Sequence, residues 1–153
     1  MTTVPDGVTE DRAPEGVLRA SINLGNPVPA RGTPAAPAGV TVDIAREIGA
    51  RLGVPVELVC FDAAHESYEA MTTGRPDLCF LAVEPGRQAE VAFTAPYVVI
   101  ESVFAVDRGS PLTPVADVDR PGVRIGVKRG SAWVPLRPLP LPHPAARDGR
   151  ARG

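Results

Sequence analysis

The sequence lacks any apolar run close to the roughly 20 residues that a membrane-spanning helix needs. It also lacks a cluster of Lys and Arg before its last stretch, and its formal net charge is -2. A basic patch is what nucleic acids and anionic membrane surfaces attract electrostatically. We therefore expect no membrane span and no nucleic-acid partner.

Cysteine and histidine are scarce, with two residues of each in the chain. Cys60 and Cys79 each lie inside an apolar run, which favours buried thiols over a disulfide or a metal site. His65 and His143 have no Cys or carboxylate spaced to complete a metal site or a catalytic triad with them. We expect no metal, no cofactor and no catalytic residue.

The first 16 residues lack both the basic patch and the apolar core of a secretory signal, and they show no periodicity. We interpret residues 1–16 as a disordered leader. Because nothing in this segment directs export, the sequence leaves the compartment open, and Met1 is a candidate for a misassigned start.

Hydrophobic residues make up 44% of the chain, which is enough for a folded domain. The run Val17–Asn23 predicts a first strand, because apolar side chains alternate along it. The segment Leu24–Gly39 holds four prolines, which we take to exclude both a helix interior and a ladder strand. Over Val40–Leu52 apolar residues recur every four positions until Gly53, which predicts an amphipathic helix.

Further strands and helices alternate along the middle of the chain. Val56–Phe61 predicts a strand and Ala64–Thr73 a helix that ends at Gly74. Leu78–Val83 is continuously apolar, which favours a central strand covered on both faces. This order predicts an α/β fold with a parallel-type sheet flanked by helices.

The remainder predicts a second unit that begins and does not finish. Val91–Val106 is interpreted as extended chain long enough to cross between two lobes, and Val123–Val127 as another strand. A strand-to-helix turn follows at Lys128–Ser131, but residues 133–153 are rich in Pro and Arg and have no sustained period. We expect an irregular tail there.

Five segments in order resemble a known family: VLRASINLGNP, GVTVDIAREIGARLGVPVELV, PDL, GRQAEVAFTAPY and GVRIGVKRGSA. Together they are similar to the bacterial solute-binding proteins of family 3, which serve ABC importers of amino acids. The resemblance covers about Val17–Ala132. It implies a periplasmic-binding-protein-like fold of two α/β lobes with a ligand cleft between them.

On this resemblance the chain holds one largely complete lobe and the start of a second, so we expect a protein truncated in its second lobe. The expected divisions are the leader at 1–16, lobe one at 17–100, a hinge strand at 101–107, a partial lobe two at 108–132 and an anomalous tail at 133–153.

Arg87 is the main candidate for ligand contact, because it matches the arginine with which the family binds the α-carboxylate of its ligand. A planar guanidinium offers paired donors that suit two carboxylate oxygens. The alternative is a solvated turn arginine paired with Glu84 or Glu90.

The other candidates have equally ordinary alternatives. Gly130 and Ser131 match the family position at the start of a lobe-two helix, where a hydroxyl and free backbone N–H groups contact the ligand. The alternative is that they only cap the helix. Ala82 and Val83 match positions at which many family members carry serine hydroxyls. Because these two residues lack a hydroxyl, only their backbone groups would contact the ligand. The alternative is that their side chains pack in a core strand. Asn26 lies in the region where the family often places an aromatic residue over the ligand, and its amide could form hydrogen bonds to the ligand instead. The alternative is that Asn26 is a turn residue.

The implied function is capture of a small amino-acid-like or polar solute for an ABC permease, by a monomer working in the periplasm or outside the cell, without chemistry of its own. We expect the truncated chain to bind ligand weakly or not at all, since trapping needs both walls of the cleft. The alternative is a lyase like cyclohexadienyl dehydratase on the same fold, with Glu84 as its acid. A sensory module of a larger receptor is a third possibility.

Overall fold

The computed structural model describes residues 4–101, 103–118 and 120–127. The chain divides into two compact units, Met1–Ala92 and Phe93–Gly153. This division precedes the end of lobe one that the sequence suggested at Ile100. The candidates Gly130 and Ser131 and the tail at 133–153 lie outside the described residues.

The first unit contains five strands and four helices among its described residues. The strands are β1 Leu18–Asn23, β2 Arg31–Thr33, β3 Ala36–Ala38, β4 Val56–Phe61 and β5 Leu78–Cys79, and the helices are α1 Val8–Arg12, α2 Val40–Leu52, α3 Ala64–Thr72 and α4 Pro85–Gln88. The α/β class predicted from the sequence is confirmed.

A three-stranded parallel sheet in the order β4-β1-β5 organises this unit. Strand β1 pairs with β4 along its whole length, from Leu18 opposite Val56 to Asn23 opposite Phe61. It pairs with β5 at only two positions, Ala20 with Leu78 and Ser21 with Cys79. Two parallel neighbours on β1 make it the centre of the sheet.

The prediction of a central strand over Leu78–Val83 was wrong. The strand ends at Cys79, and within the described residues it pairs with β1 alone. Ala82 and Val83 are exposed, so none of the described residues covers this end of the predicted strand. An apolar run indicates burial, but it does not reveal how many neighbours a strand will have.

Helices cover both faces of the sheet. On one face, Ile22 of β1 packs with Val42 of α2 and with Ala30, and all three are almost fully buried. On the other face, Ser21 contacts Ser67 of α3 through a hydrogen bond of 2.5 Å between their hydroxyl oxygens. Burial on both faces is the usual environment of a parallel strand.

Helix α2 has the predicted bounds, and its C-cap Gly53 has a φ of 72°, the left-handed conformation that favours glycine. Its most buried residues, however, are small, and they are not the apolar residues that recur every four positions from Val40. Val42 and Ala45 are fully buried, whereas Val40 is 44% exposed. Gly49 is also buried, and a β-carbon there would clash with Val56 Cγ2. Close approach of the helix to β4 therefore selects small residues.

The segment Leu24–Gly39 is not simply a loop, since β2 and β3 form an antiparallel hairpin within it. Pro37 lies in β3 opposite Gly32, although we took the prolines to exclude a ladder strand. A two-stranded ribbon has only edge strands, where a residue without an N–H is tolerated if that position faces outward. Gly32 has a φ of 98°, and a β-carbon there would clash with the Ala36 carbonyl oxygen.

The expectation of a disordered leader at 1–16 also needs correction. Helix α1 lies within it, and the Thr9 hydroxyl donates a hydrogen bond to the Leu52 carbonyl oxygen at 3.3 Å. Ala13 is only 3% exposed. A contact with a residue distant in sequence thus helps to stabilise helix α1, which is too short to show a periodic pattern.

The second unit holds one regular element among its described residues, a 3-10 helix at Val115–Val118. Its Asp117 pairs with Arg120 and accepts a hydrogen bond from the Thr113 N–H at 3.2 Å. The strand predicted at Val123–Val127 is not formed, because none of the described residues pairs with it. No helix in the described ranges is long and apolar enough to cross a bilayer.

Candidate functional site

Helix α4 carries the main candidate residue, and it follows β5 on the side of the sheet where the parallel strands end. Asn26 follows β1 and therefore belongs to the same carboxyl edge. Ligands of open parallel sheets generally bind beyond this edge. Helix α4 begins with Pro85 at its first turn, which fixes where the helix starts.

Arg87 is buried, with 5% of its surface exposed. Its Nε lies 3.1 Å from Glu84 Oε1, and one terminal nitrogen donates to the Ala82 carbonyl oxygen at 3.4 Å. Its guanidinium carbon lies 5.7 Å from the centre of the Tyr68 ring. Arg87 thus has the partner that we proposed as the alternative, Glu84, but it is not a solvated turn residue.

Glu84 is as deeply placed as its partner, with 8% of its surface exposed. One carboxylate oxygen pairs with Arg87. The other, Oε2, is buried and accepts no hydrogen bond from any residue that the structure describes. A buried carboxylate oxygen without a donor is costly, so this atom marks a place where a donor group would be stabilised.

Tyr68 of α3 links this pair to a second carboxylate. Its hydroxyl donates a hydrogen bond to Glu90 Oε2 at 2.9 Å, and this bond is the main cause of a raised pKa for Tyr68. A guanidinium near the face of a tyrosine ring gains from a cation–π interaction. Tyr68 therefore helps to fix the guanidinium plane of Arg87.

The remaining candidates have mixed placements. Asn26 Oδ1 accepts a hydrogen bond from the Val28 N–H at 3.2 Å, which is the contact of a turn residue. Ala82 and Val83 are exposed, so the core-strand alternative does not hold for them. The structure brings Ala82 and Arg87 together through the Ala82 carbonyl oxygen.

The pairing of Arg87 with Glu84 was one of the alternatives stated from the sequence, whereas Tyr68 was not identified as a site residue. The spacing of three residues between Glu84 and Arg87 permits a contact within one helical turn, and the turn itself is visible at Pro85 and Gly86. Tyr68 belongs to the predicted helical pattern, where an aromatic residue normally indicates packing. Only the tertiary contact between α3 and the α4 segment reveals its second role.

Other polar clusters of the first unit are structural in character. Arg19 and Asp77 join the starts of β1 and β5, through two side-chain hydrogen bonds at 2.7 and 3.0 Å. These bonds lower the pKa of Asp77 and raise that of Arg19. They lie at the opposite edge of the sheet from α4, so they support the sheet rather than the candidate site.

The two cysteines are free and only partly buried. Burial raises the pKa of Cys79 to about 11, and it also raises the pKa of Cys60. Thiols with raised pKa values are poor nucleophiles at neutral pH. Among the described residues, no group of three His, Cys, Asp or Glu side chains is placed to hold a metal ion.

Two surface depressions have volumes of about 430 and 420 Å³, and Arg87 is not among the residues that line either of them. The first is lined by residues between Ala105 and Leu112, and the second by Phe61, Arg75 and one face of α3. Each is wide open to solvent. Neither depression therefore belongs to the candidate site at α4, which consists of directed polar groups.

Comparison with known proteins assigns the family. The sequence matches the bacterial extracellular solute-binding proteins, family 3, over residues 24–138. This range is most of the chain, so the chain belongs to that family, and the resemblance stated from the five segments is confirmed. Members of the family are periplasmic or extracellular. None of the curated proteins matches the sequence significantly.

Solved structures show the same fold. The ancestral amino acid-binding protein AncCDT-1, a precursor of cyclohexadienyl dehydratase, is 21% identical with a TM-score of 0.63, over 82% of this chain and 57% of that one. A glycine-to-alanine mutant of arginine-bound ArgBP from T. maritima is 22% identical with a TM-score of 0.52, over 60% and 44%. An ancestral cyclohexadienyl dehydratase is 21% identical with a TM-score of 0.52, over 62% and 40%.

The chain therefore spans between 40 and 57% of the length of these structures. At this level of identity the similarity shows the fold, a periplasmic-binding-protein-like one.

Proposed function

We propose that this chain binds a small amino-acid-like or polar solute through Arg87, as the substrate-binding component of an ABC importer and without catalysing a reaction. The observation that carries the proposal is the burial of Arg87 at the carboxyl edge of a parallel sheet. A buried guanidinium is stable only with partners, and its terminal nitrogens carry more donors than their one hydrogen bond within the described residues, to the Ala82 carbonyl oxygen, uses.

The geometry of Arg87 suits a carboxylate. Glu84 contacts the guanidinium at Nε, and Tyr68 lies near its face. Two sides of the group are thereby fixed, so its terminal nitrogens are held in one orientation. Paired donors in a fixed plane are what a ligand carboxylate needs for two parallel hydrogen bonds.

We also propose the division of the chain into lobe one at 17–100, a hinge at 101–107, part of lobe two at 108–132 and a tail at 133–153. Two-lobed binding proteins trap ligand by hinge closure, which needs groups from both lobes. The described residues that carry the site all lie in the first unit. We therefore expect this chain to bind its ligand more weakly than micromolar.

The family supports the proposed importer role, in which the solute is captured in the periplasm or outside the cell. Its partner would be the permease of the importer, and the chain itself would act as a monomer. Gly130 and Ser131 are proposed to contribute a hydroxyl and backbone N–H groups on the lobe-two side. Backbone groups of Ala82 and Val83, with Asn26, would complete the lobe-one side.

Titration of the purified chain with a panel of amino acids tests the proposal. Calorimetry measures any affinity near micromolar, and ligand-observed NMR detects millimolar binding. The sequence leaves weak binding and no binding open, and we propose weak binding: the expected result is millimolar binding of at least one amino acid, competed by another of the same kind. Micromolar affinity would contradict the expected impairment, and absence of binding across the panel would contradict the solute-binding role of this chain.

A second candidate is a lyase of the cyclohexadienyl dehydratase type, with Glu84 as a general acid. The observation in its favour is that Glu84 is buried and has an oxygen without a donor, the kind of environment found for catalytic carboxyls. An assay for prephenate turnover distinguishes the two functions. Turnover that Glu84→Gln abolishes supports the lyase, and no turnover above background supports the binding protein.

A further inference from the structure

The second unit carries a run of exposed apolar side chains at residues 97–106, which has no part in the proposed solute site. Val99 and Val103 are 88% and 84% exposed. Five further residues of the run are between 43 and 49% exposed: Tyr97, Val98, Ile100, Phe104 and Val106. Soluble monomers rarely expose so many large apolar side chains next to one another, and such a patch usually marks a protein interface.

The apolar run 97–106 has the composition of a strand. It is rich in β-branched and aromatic residues, it contains no Pro or Gly, and its single charge is Glu101. None of the residues that the structure describes pairs with it in a β-ladder. A strand-forming segment that lacks ladder partners is a template for pairing with another chain.

The side-chain pattern of the run is nearly the same when it is read in either direction, which suits a partner of identical sequence. In an extended chain Val98, Ile100, Phe104 and Val106 share one face. When two copies lie antiparallel, Ile100 of each can lie opposite Phe104 of the other, and Val98 opposite Val106. Pairs of aromatic and β-branched residues stabilise antiparallel strands, and two-fold symmetry forms each pair twice.

We propose that the apolar run 97–106 pairs with the same run of a second copy of this chain, as two antiparallel strands of a two-fold symmetric dimer. In this register Tyr97 of each copy lies opposite Asp107 of the other. Asp107 lines the surface depression of about 430 Å³ together with Val106 and Leu112, so the Tyr97 ring of one copy faces the depression of the other. Because both copies use the same patch, the assembly closes at two chains.

The pairing should be reversible. Ten extended residues form a strip about 33 Å long and about 10 Å wide. This strip is smaller than the roughly 800 Å² that each partner of a standard interface buries. We therefore expect the monomer of the importer role at low concentration and the dimer at high concentration.

Sedimentation velocity of the full chain tests the proposal, from low micromolar to near-millimolar concentration. The average mass should rise from that of one chain toward that of two chains and then stay constant. A mass of one chain at every concentration, or growth beyond two chains, would contradict it.

Two substitutions at Val103 test the register, in which Val103 lies opposite Glu101 of the other copy. Val103→Glu places two carboxylates opposite each other at two points of the dimer, and it should weaken dimerisation by about tenfold or more. Val103→Lys places an ammonium group opposite Glu101, so it should dimerise at least about tenfold more tightly than Val103→Glu. Since Val103 is 84% exposed, both variants should keep the fold of the monomer, which circular dichroism checks.

Val115→Glu is the matched control, because Val115 is 74% exposed in the same unit and lies outside the run. It should dimerise as the unaltered chain does. If both Val103 variants dimerise like the unaltered chain, the run is not the interface. If both weaken dimerisation equally, the antiparallel register is wrong.

Discussion

The guanidinium of Arg87 and the carboxylate of Glu84 meet at 3.1 Å across a single turn, and each residue is less than a tenth exposed. Their burial distinguishes this pair from the Glu47–Arg51 pair on α2, in which both side chains are mostly exposed. Surface ion pairs contribute little to stability, whereas breaking a buried pair leaves a charge without a partner. The Arg87 pair is therefore the natural centre of the predictions below.

Arg87→Lys should weaken binding of the amino acid that the panel identifies by about tenfold or more, because lysine keeps the charge but loses the planar paired donors. Competition measured by ligand-observed NMR gives the ratio of affinities. Arg51→Lys is the matched control and should bind as the unaltered chain does. Equal binding by the Arg87 variant, with its fold intact by circular dichroism, would rule out carboxylate recognition by Arg87.

The buried hydroxyls of Ser21 and Ser67 should show strong coupling. Ser67→Ala leaves the Ser21 hydroxyl buried without its partner and should cost about 1–3 kcal/mol in the free energy of unfolding. Changing both residues to Ala should cost less than the sum of the two single changes. Urea denaturation of the four chains completes the double-mutant cycle, and additive effects would show that the hydroxyls do not interact.

Gly49→Ala should destabilise the first unit by about 1–3 kcal/mol, although alanine is the better helix former, because the added β-carbon clashes with Val56 Cγ2. Thermal unfolding followed by circular dichroism measures the change. Gly109→Ala is the control, since a β-carbon at Gly109 meets no described atom within 4 Å. A stabilised Gly49 variant would mean that α2 lies farther from β4.

Asp77→Asn should lower the melting temperature near neutral pH, and the difference from the unaltered chain should shrink in acid. Arg19 holds the pKa of Asp77 below its ordinary value. The stability from this group is therefore present above the unfolded-state pKa of about 3.9, and it is lost as the pH falls through the lower folded-state value. Melting curves between neutral pH and pH 2 measure this trend.

Asp6→Asn, at an exposed position, is the control for the acid titration. It should reproduce the pH dependence of the unaltered chain. A constant difference between Asp77→Asn and the unaltered chain at every pH would contradict the role assigned to the Arg19 pair.

The sequence predicted the elements whose signals are local. The bounds of α2 and β4 follow from four-residue periodicity, a run of strand formers and the stop at Gly53, and the structure confirms them. The β2–β3 hairpin was missed because Pro37 is unfavourable in a ladder, and only the edge position of its strand makes it acceptable.

Predictions that depended on tertiary neighbours were less secure. The run Leu78–Val83 was expected at the centre of the sheet, but β1 takes that place because it pairs on both sides. At the candidate site, Arg87 was identified through family resemblance, while its contact with Tyr68 joins residues far apart in sequence. No local pattern reveals a contact of that kind, or the missing donor at Glu84 Oε2.

The central claim is that Arg87 receives the carboxylate of a solute, and its own side-chain resonance tests this most directly. In a titration of the labelled chain with the amino acids of the panel, the Nε–Hε signal of Arg87 should shift and saturate, while that of Arg51 stays in place. A signal of Arg87 that does not move at saturating amino acid, in a folded chain, would contradict the account.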